Sequence, residues 1–216
     1  LMHGLPNQTR AQAVSDLETA INTGATHISW YQLTIEPNTA FYSKPPILPI
    51  EDQLADIQDL GQQTLAKADF EQYEISAFAR NNQQCKHNIN YWQFGDYLGI
   101  GAGAHGKITL PDQNSIIRSA KTRLPKHYLN QDTSQLTSDK PIAQDQLVLE
   151  FMMNGLRLTA GVKKDLLNSR TGLSTDQIED KIEQLNQEGF LKHHPSYFCT
   201  TELGARFLDT LLQRFS

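Results

Sequence analysis

The sequence has little of what builds disulfide frameworks, metal clusters or membrane spans. Its 216 residues include only two cysteines, Cys85 and Cys199, far apart along the chain. Because no Cys-x-x-Cys or Cys-x-x-x-Cys pair occurs, this chain cannot by itself hold an iron–sulfur cluster or a cysteine-rich zinc site. Polar residues interrupt every long apolar stretch, so no transmembrane helix is predicted. Residues 1–6 have no basic segment followed by an apolar run, and together with the few thiols this leads us to expect a cytoplasmic protein.

The chain also lacks an excess of positive charge. It carries 19 Lys and Arg against 24 Asp and Glu, a formal net charge of -5. This acidic balance argues against non-specific binding to nucleic acid. A hydrophobic content of 38% beside 20% charged residues is typical of a globular fold. The length allows one large domain or two smaller ones.

Helix and strand patterns alternate in the first part of the chain. Thr9 and Gln12 form a capping box that predicts a helix ending near Gly24. Residues 27–33 and 73–79 are rich in β-branched and aromatic residues and indicate strands. A second helix is predicted to start at Glu51. Such alternation predicts an α/β fold with a parallel sheet, and we expect residues 80–106 to be irregular.

A second unit is predicted from residue 141. The patterns indicate three helices, a β-hairpin over residues 190–199 and a final helix over residues 203–215, which is the order of a winged helix. We therefore predict two domains, residues 1–140 and residues 141–216. The helix before the hairpin carries five acidic residues against one lysine, so DNA binding through it is not expected.

One motif that could carry chemistry is His-Asn-Ile-Asn-Tyr-Trp at residues 87–92. Neutral histidine can ligate iron, zinc or haem, so His87 is a candidate ligand. Asn88 could orient its ring, and Tyr91 and Trp92 could form a flat apolar wall. The structural alternative is a histidine hydrogen-bonded within a loop beside two aromatic rings that pack on the core.

Four glycines in eight residues, 99–106, make a second candidate. Glycines let the backbone approach a ligand closely, and a strand passing beneath a cofactor fits this run. A packing constraint between neighbouring strands is the alternative. No helix-forming run follows, so a dinucleotide fingerprint is excluded.

Several segments together resemble the HemW family, the haem chaperone branch of the radical S-adenosylmethionine (SAM) proteins. The resemblance rests on residues 1–9, 29–39, 87–92 and 96–101. The family is similar to oxygen-independent coproporphyrinogen III oxidase. The resemblance covers essentially the whole chain but only about the C-terminal half of the family. We therefore expect an N-terminal part to be missing.

The resemblance implies a fold and a set of cofactors. It implies that residues 1–140 are the C-terminal part of an incomplete (β/α) barrel and that residues 141–216 are a small winged-helix-like domain. Full-length members hold a [4Fe-4S] cluster that binds and cleaves SAM. This chain lacks the cluster motif, so we expect no radical activity from it alone and assign it no catalytic residue and no metal ligand. Thr34 and His105 are similar to SAM-lining positions.

The resemblance also implies haem binding by His87, Asn88, Tyr91 and Trp92, with His87 as axial ligand and Cys85 or His105 as candidates for the second. The function implied is delivery of haem to acceptor haem proteins, membrane-associated ones included. The alternative is coproporphyrinogen III oxidation, for which the substrate's propionates would need basic partners. The candidates for that role are Lys107, Arg118, Lys121, Arg123 and Lys126. We also expect the incomplete barrel to self-associate and to have no nucleic-acid partner.

Overall fold

The computed structural model describes residues 1–129 and 137–215. Its contacts divide the chain into two compact units, Leu1–Cys85 and Lys86–Ser216. The two units are defined by contacts within the chain and are not the same as the predicted domains. The domain boundary at residue 140 stays a prediction. Within the described residues, no helix has the length and apolar character needed to cross a membrane.

The first unit contains five short strands and three helices. In chain order they are β1 (Met2–His3), α1 (Arg10–Asn22), β2 (His27–Ser29), β3 (Tyr31–Gln32), α2 (Ala40–Ser43), α3 (Glu51–Lys67), β4 (Glu71–Glu74) and β5 (Ala77–Ala79). The predicted capping box starts α1: the Thr9 hydroxyl accepts from the Gln12 amide, and the Gln12 side chain accepts from the Thr9 amide. The core of this unit is formed by buried residues of the two long helices and the sheet, among them Leu17, Ile57, Leu65 and Phe78.

The expected parallel sheet forms only in part. β1 pairs with β3 in parallel, but β2, β5 and β4 form an antiparallel sheet in that order. Residues 73–79 are not one strand, because the chain reverses at Ile75 and Ser76 and β5 pairs back on β4. A connection this short forces antiparallel pairing, whereas a parallel neighbour needs a long crossover. The predicted strand 27–33 is also interrupted, at Trp30.

The second unit begins with the helix α4 (Lys86–Trp92), which lies in the segment expected to be irregular. It continues with β6 (His105–Leu110), β7 (Ser115–Lys121), α5 (Pro125–Tyr128) and β8 (Thr137–Pro141). The three strands form an antiparallel sheet in chain order. Asn114 adopts a left-handed conformation, φ 44°, in the turn between β6 and β7, a backbone shape that asparagine tolerates well. Helices and sheets in both units confirm an α/β fold.

The rest of the second unit is mainly helical. It comprises α6 (Leu147–Gly155), β9 (Val162–Lys163), α7 (Asp165–Thr171), α8 (Glu179–Gln187), β10 (Tyr197–Phe198), α9 (Glu202–Arg206) and α10 (Leu208–Leu212). β10 pairs antiparallel with β9. Two predictions were wrong in detail: the second of the three helices was predicted to start at Val162, which belongs to β9 instead, and the last helix breaks at Phe207. A core centred on Phe151, Leu185 and Leu211 holds these elements together.

Candidate functional site

The His-Asn-Ile-Asn-Tyr-Trp motif lies on the short helix α4, not in the irregular segment that the sequence predicted. Ile89 and Trp92, three residues apart, pack against the core of the second unit. A helix therefore buries one side of the motif and leaves another side to solvent, because residues three and four apart share a helix face.

His87 lies on the solvent side of α4 and is exposed. Tyr91, four residues on, shares its face, whereas Trp92 is turned by about 140° around the helix axis. The Trp92 ring is covered by the guanidinium of Arg157, 4.4 Å from the ring centroid. Trp92 thus anchors the helix, and Tyr91 is the aromatic residue that accompanies His87.

Tyr91 belongs to an aromatic cluster. Its ring meets Trp92 edge-on, with centroids 4.8 Å apart, and lies 5.0 Å from the ring of Tyr97. Burial raises the pKa of Tyr97 to about 12, and its contact with the Tyr91 hydroxyl adds to the effect. Tyr97 therefore stays a neutral hydrogen-bonding group at physiological pH. The sequence analysis did not single it out.

The turn after α4 is closely packed. The Asn90 side-chain amide donates to the Asp96 carbonyl over 2.9 Å. A Cβ on Gly95 would lie 2.1 Å from the Asn90 side-chain oxygen, so only glycine fits there. Phe94 adopts a left-handed conformation, φ 56°, in this turn. These contacts fix where the motif helix ends.

Lys107, a candidate partner for propionates, is occupied within the fold. Its ammonium is buried and lies 2.8 Å from an Asp96 carboxylate oxygen. Partial burial raises the pKa of Asp96, but hydrogen bonds from Lys107 and Thr109 outweigh this effect and hold that pKa below its usual value. Burial lowers the pKa of Lys107, and the bond to Asp96 offsets part of that change. Lys107 is therefore a structural cation.

Residues 99–104 of the glycine run form an irregular turn, and the run ends in the first two residues of β6. Gly101 and Gly103 have φ of 102° and 73°, and a Cβ on Gly99 would lie 2.3 Å from the His105 carbonyl oxygen. Packing thus accounts for Gly99, and backbone shape accounts for the other two. Leu98, just before this turn, and Ile100, within it, are 77% and 86% exposed. His105 is the exposed first residue of β6.

The remaining predicted site residues are spread over the chain. Thr34 is an exposed residue shortly after β3 in the first unit. Asn88 lies on α4 and is partly buried. Cys85 and Cys199 are free thiols. The structure thus groups the four residues of the haem motif on α4, whereas Thr34 and His105 belong to different units.

A histidine that the sequence analysis did not select is buried in the first unit. His3 is 3% exposed, and its ring stacks on Trp30 with centroids 4.0 Å apart. Burial lowers the pKa of His3 to about 4. His3 and Trp30 line a cavity of about 130 Å³ with Gln58 and Gln62. That volume holds a few water molecules, whose polar atoms could satisfy the buried ring nitrogens.

Comparison with known proteins gives consistent matches. Residues 142–207 match the family described as the HemN C-terminal domain. The whole chain is 45% identical to heme chaperone HemW of Escherichia coli and 46% identical to that of Haemophilus influenzae, covering 56% and 55% of those proteins. A Bacillus subtilis heme chaperone HemW is 32% identical over 94% of the chain. The chain spans about half the length of these relatives.

A solved structure shares the fold. Coproporphyrinogen III oxidase (HemN) from Escherichia coli, described as a radical SAM enzyme, superimposes on the whole chain with a TM-score of 0.70. The two are 16% identical, and the match covers 53% of the oxidase chain. At that identity the likeness concerns the fold alone. Matched along its full length by the curated relatives, the chain belongs to the HemW family and corresponds to about half of these members.

Proposed function

We propose that this chain is the C-terminal portion of a HemW-like protein that binds haem and delivers it to acceptor haem proteins, membrane-associated ones included. The observation that carries the proposal is the exposed imidazole of His87 beside Tyr91 on one face of α4. The names of the relatives, heme chaperone HemW, support it. We propose a cytoplasmic location and no nucleic-acid partner.

We assign roles in haem binding to residues of α4 and to Tyr97, which follows it. The His87 imidazole ligates the iron, and the rings of Tyr91 and Tyr97 offer apolar surface to the macrocycle. Trp92 keeps the helix in place through its packing on the core and on Arg157. Asn88 remains the candidate that orients the histidine, and Cys85 and His105 remain candidates for the second axial ligand.

We propose two finer features of the fold. The first is that residues 1–140 are the last strands of an incomplete (β/α) barrel, which the likeness to the radical SAM oxidase supports. The second is that residues 141–216 are a winged-helix-like domain, which the order α6, β9, α7, α8 and β10 supports. The acidic face of α8 fits a structural role better than DNA binding.

Full-length relatives are proposed to use SAM and a [4Fe-4S] cluster. Among the described residues, no group of three or more His, Cys, Asp and Glu could hold a metal ion. With two distant cysteines, this chain does not fit a cluster, and we assign it no catalytic residue. Thr34 and His105 remain proposed SAM contacts of the complete protein.

The alternative function is oxidative decarboxylation of coproporphyrinogen III. The structural likeness to the oxidase favours it. The motif at residues 87–92 and the higher identity to the heme chaperones favour haem binding instead. We therefore retain the oxidase as the second candidate.

The test is a haem titration followed by the Soret band. We expect a saturable Soret shift with this chain and its loss in His87→Ala. His193→Ala removes an equally exposed histidine from the same unit and serves as the matched control. If the control also loses the shift, haem binding through His87 is contradicted.

A Soret shift in His87→Ala equal to that of wild type would overturn the assignment of His87 as ligand. Circular dichroism of each variant shows whether α4 and the rest of the fold are retained. Since His87 is exposed, its replacement by alanine is expected to leave the fold intact.

A further inference from the structure

Three cations lie side by side across the β6–β7–β8 sheet. The pairing register places Lys107 opposite Arg118, and Arg118 opposite Lys140. Residues directly opposite in neighbouring strands project from the same face, and like charges in that arrangement destabilise a sheet. The sheet therefore carries an electrostatic cost along this row.

Two carboxylates balance two of these charges. Asp96 binds Lys107, and Glu150 of α6 forms an ion pair with Arg118. Within residues 1–129 and 137–215, Lys140 has no ion-pair partner and is exposed. Among the residues that the structure describes, one positive charge of the row thus has no counter-charge.

The uncompensated end of the row opens into a cavity of about 330 Å³. Arg118, Lys140 and His105 line it together with apolar Pro141 and Ile142 and with Glu150, the carboxylate paired with Arg118. This volume lies at the small end of the range of roughly 300–1,000 Å³ that is usual for ligand pockets. The Nε–H of Arg118 is buried and has no hydrogen-bond acceptor among the described residues. Because Glu150 is already paired with Arg118, the exposed charge of Lys140 beside an apolar wall favours an anionic group on an apolar body.

The Arg118–Glu150 pair at the cavity lies near the aromatic cluster that includes Tyr91 and Tyr97. Tyr97 contacts Tyr91, and it lies close enough to the Arg118–Glu150 pair for both charges to act on its hydroxyl. Nearby positive charges also act on Lys107. Burial has the largest effect and lowers its pKa, and Asp96 raises it. The charges of Arg170 and Arg118 lower it again. The cations are therefore close enough to repel one another in the folded protein.

We propose that the cavity between β7, β8 and α6 binds a carboxylate group of the ligand, held by Arg118 and Lys140. The haem of the proposed function carries two such groups as propionates on an apolar ring, and to that extent this inference rests on the proposed function. Arg118 offers its planar fork and Lys140 a point charge, the two cation types that bind carboxylates. The sequence analysis named Arg118 among five cations and did not name Lys140.

The test compares haem with haem dimethyl ester, whose carboxylates are blocked. Lys140→Gln should bind haem about tenfold more weakly, the loss expected for one charge-assisted contact, and bind the dimethyl ester as wild type does. Lys163→Gln, at an exposed lysine on β9 of the same unit, is the matched control and should bind both ligands normally. Equal weakening for haem and its ester, or no weakening, would overturn the proposal.

A second readout needs no haem. Removing Lys140 removes the repulsion on Arg118, so Lys140→Gln should melt at a higher temperature than wild type, and Lys140→Glu higher still. Succinate should raise the melting temperature of wild type and not that of Lys140→Glu. If haem fails to bind but succinate gives this result, the proposed function fails while the carboxylate site stands. If succinate stabilises both proteins equally, the carboxylate site is overturned.

Discussion

His3 shows how burial at one residue sets the response of the first unit to pH. Its ring stacks on Trp30 beside a cavity that Gln58 and Gln62 of α3 also line, and burial lowers its pKa to about 4 from 6.5. Between these values the unfolded chain binds a proton on His3 that the folded chain does not. Folding stability must therefore fall as the pH decreases through this window.

We expect roughly 3 kcal/mol of the stability present above pH 6.5 to be lost by pH 4 through this histidine. His3→Phe keeps a ring against Trp30 but cannot take up a proton. Urea unfolding at pH 7.5, 5.5 and 4.5, followed by tryptophan fluorescence, measures the difference. The pKa of His27 is lowered too, but His27 is present in both proteins and its effect cancels. Identical losses in the two proteins would show that His3 does not control the response.

Single residues also show the limit of sequence reasoning at the site. His87 and Tyr91 could be selected because the motif is contiguous. Arg118 and Lys140 are 22 positions apart, and only strand pairing makes them neighbours. Lys107 is buried and forms an ion pair with Asp96, but nothing in its neighbouring sequence distinguishes it from an exposed lysine of the same segment.

At the scale of elements, α3 is fitted to the sheet by one glycine. The Trp30 side chain lies against Gly61, where a Cβ would stand 1.9 Å from the indole ring. Alanine is the better helix former by about 1 kcal/mol, so helix propensity and packing oppose each other here. We expect the contact to outweigh the propensity, because the buried indole can relieve it only by shifting from its packing on His3 and the core.

Gly61→Ala should therefore destabilise the protein by about 1–3 kcal/mol despite the gain in propensity. Gln63→Ala, at an exposed position of the same helix, is the control and should be neutral or slightly stabilising. Urea unfolding measures both. The double variant Gly61→Ala with Trp30→Phe should recover part of the loss, because the smaller ring leaves room for the methyl group. A Gly61→Ala protein as stable as wild type would contradict this packing.

The helix α4, which carries the motif, could not be predicted from the sequence pattern. Residues 86–92 give barely two turns, too short for a clear helical period. Packing of Ile89 and Trp92 on the core stabilises the helix, and such contacts are made with residues distant in sequence.

At the scale of the whole molecule, β1 and β3 present apolar residues to solvent. Leu1, Met2 and Tyr31 are 50%, 44% and 46% exposed, and the parallel pairing brings Met2 next to Tyr31. Exposed apolar strands are sites of association between chains. This supports the proposal that the chain self-associates.

We expect the sedimentation coefficient of this chain to rise with concentration and Met2→Lys to reduce that rise, since a charge opposes pairing at a strand edge. Met153→Lys changes a methionine of similar exposure, 42%, on α6 and is the matched control. Monomeric behaviour of wild type at high concentration would argue against association. An equal effect of both substitutions would argue against association through β1 and β3.

The sequence by itself determined the α/β class, the cap of α1, the start of α3 and the contiguous motif at residues 87–92, because each depends on residues close together in the chain. Tertiary structure decided the antiparallel pairing in the first unit, the β6–β7–β8 sheet and the row of cations across it. These depend on a tight reversal at Ile75 and Ser76 and on strand register, which bring distant residues together. It also decided how the cations are arranged: Lys107 is buried beside Asp96, and strand register places the exposed Lys140 opposite Arg118.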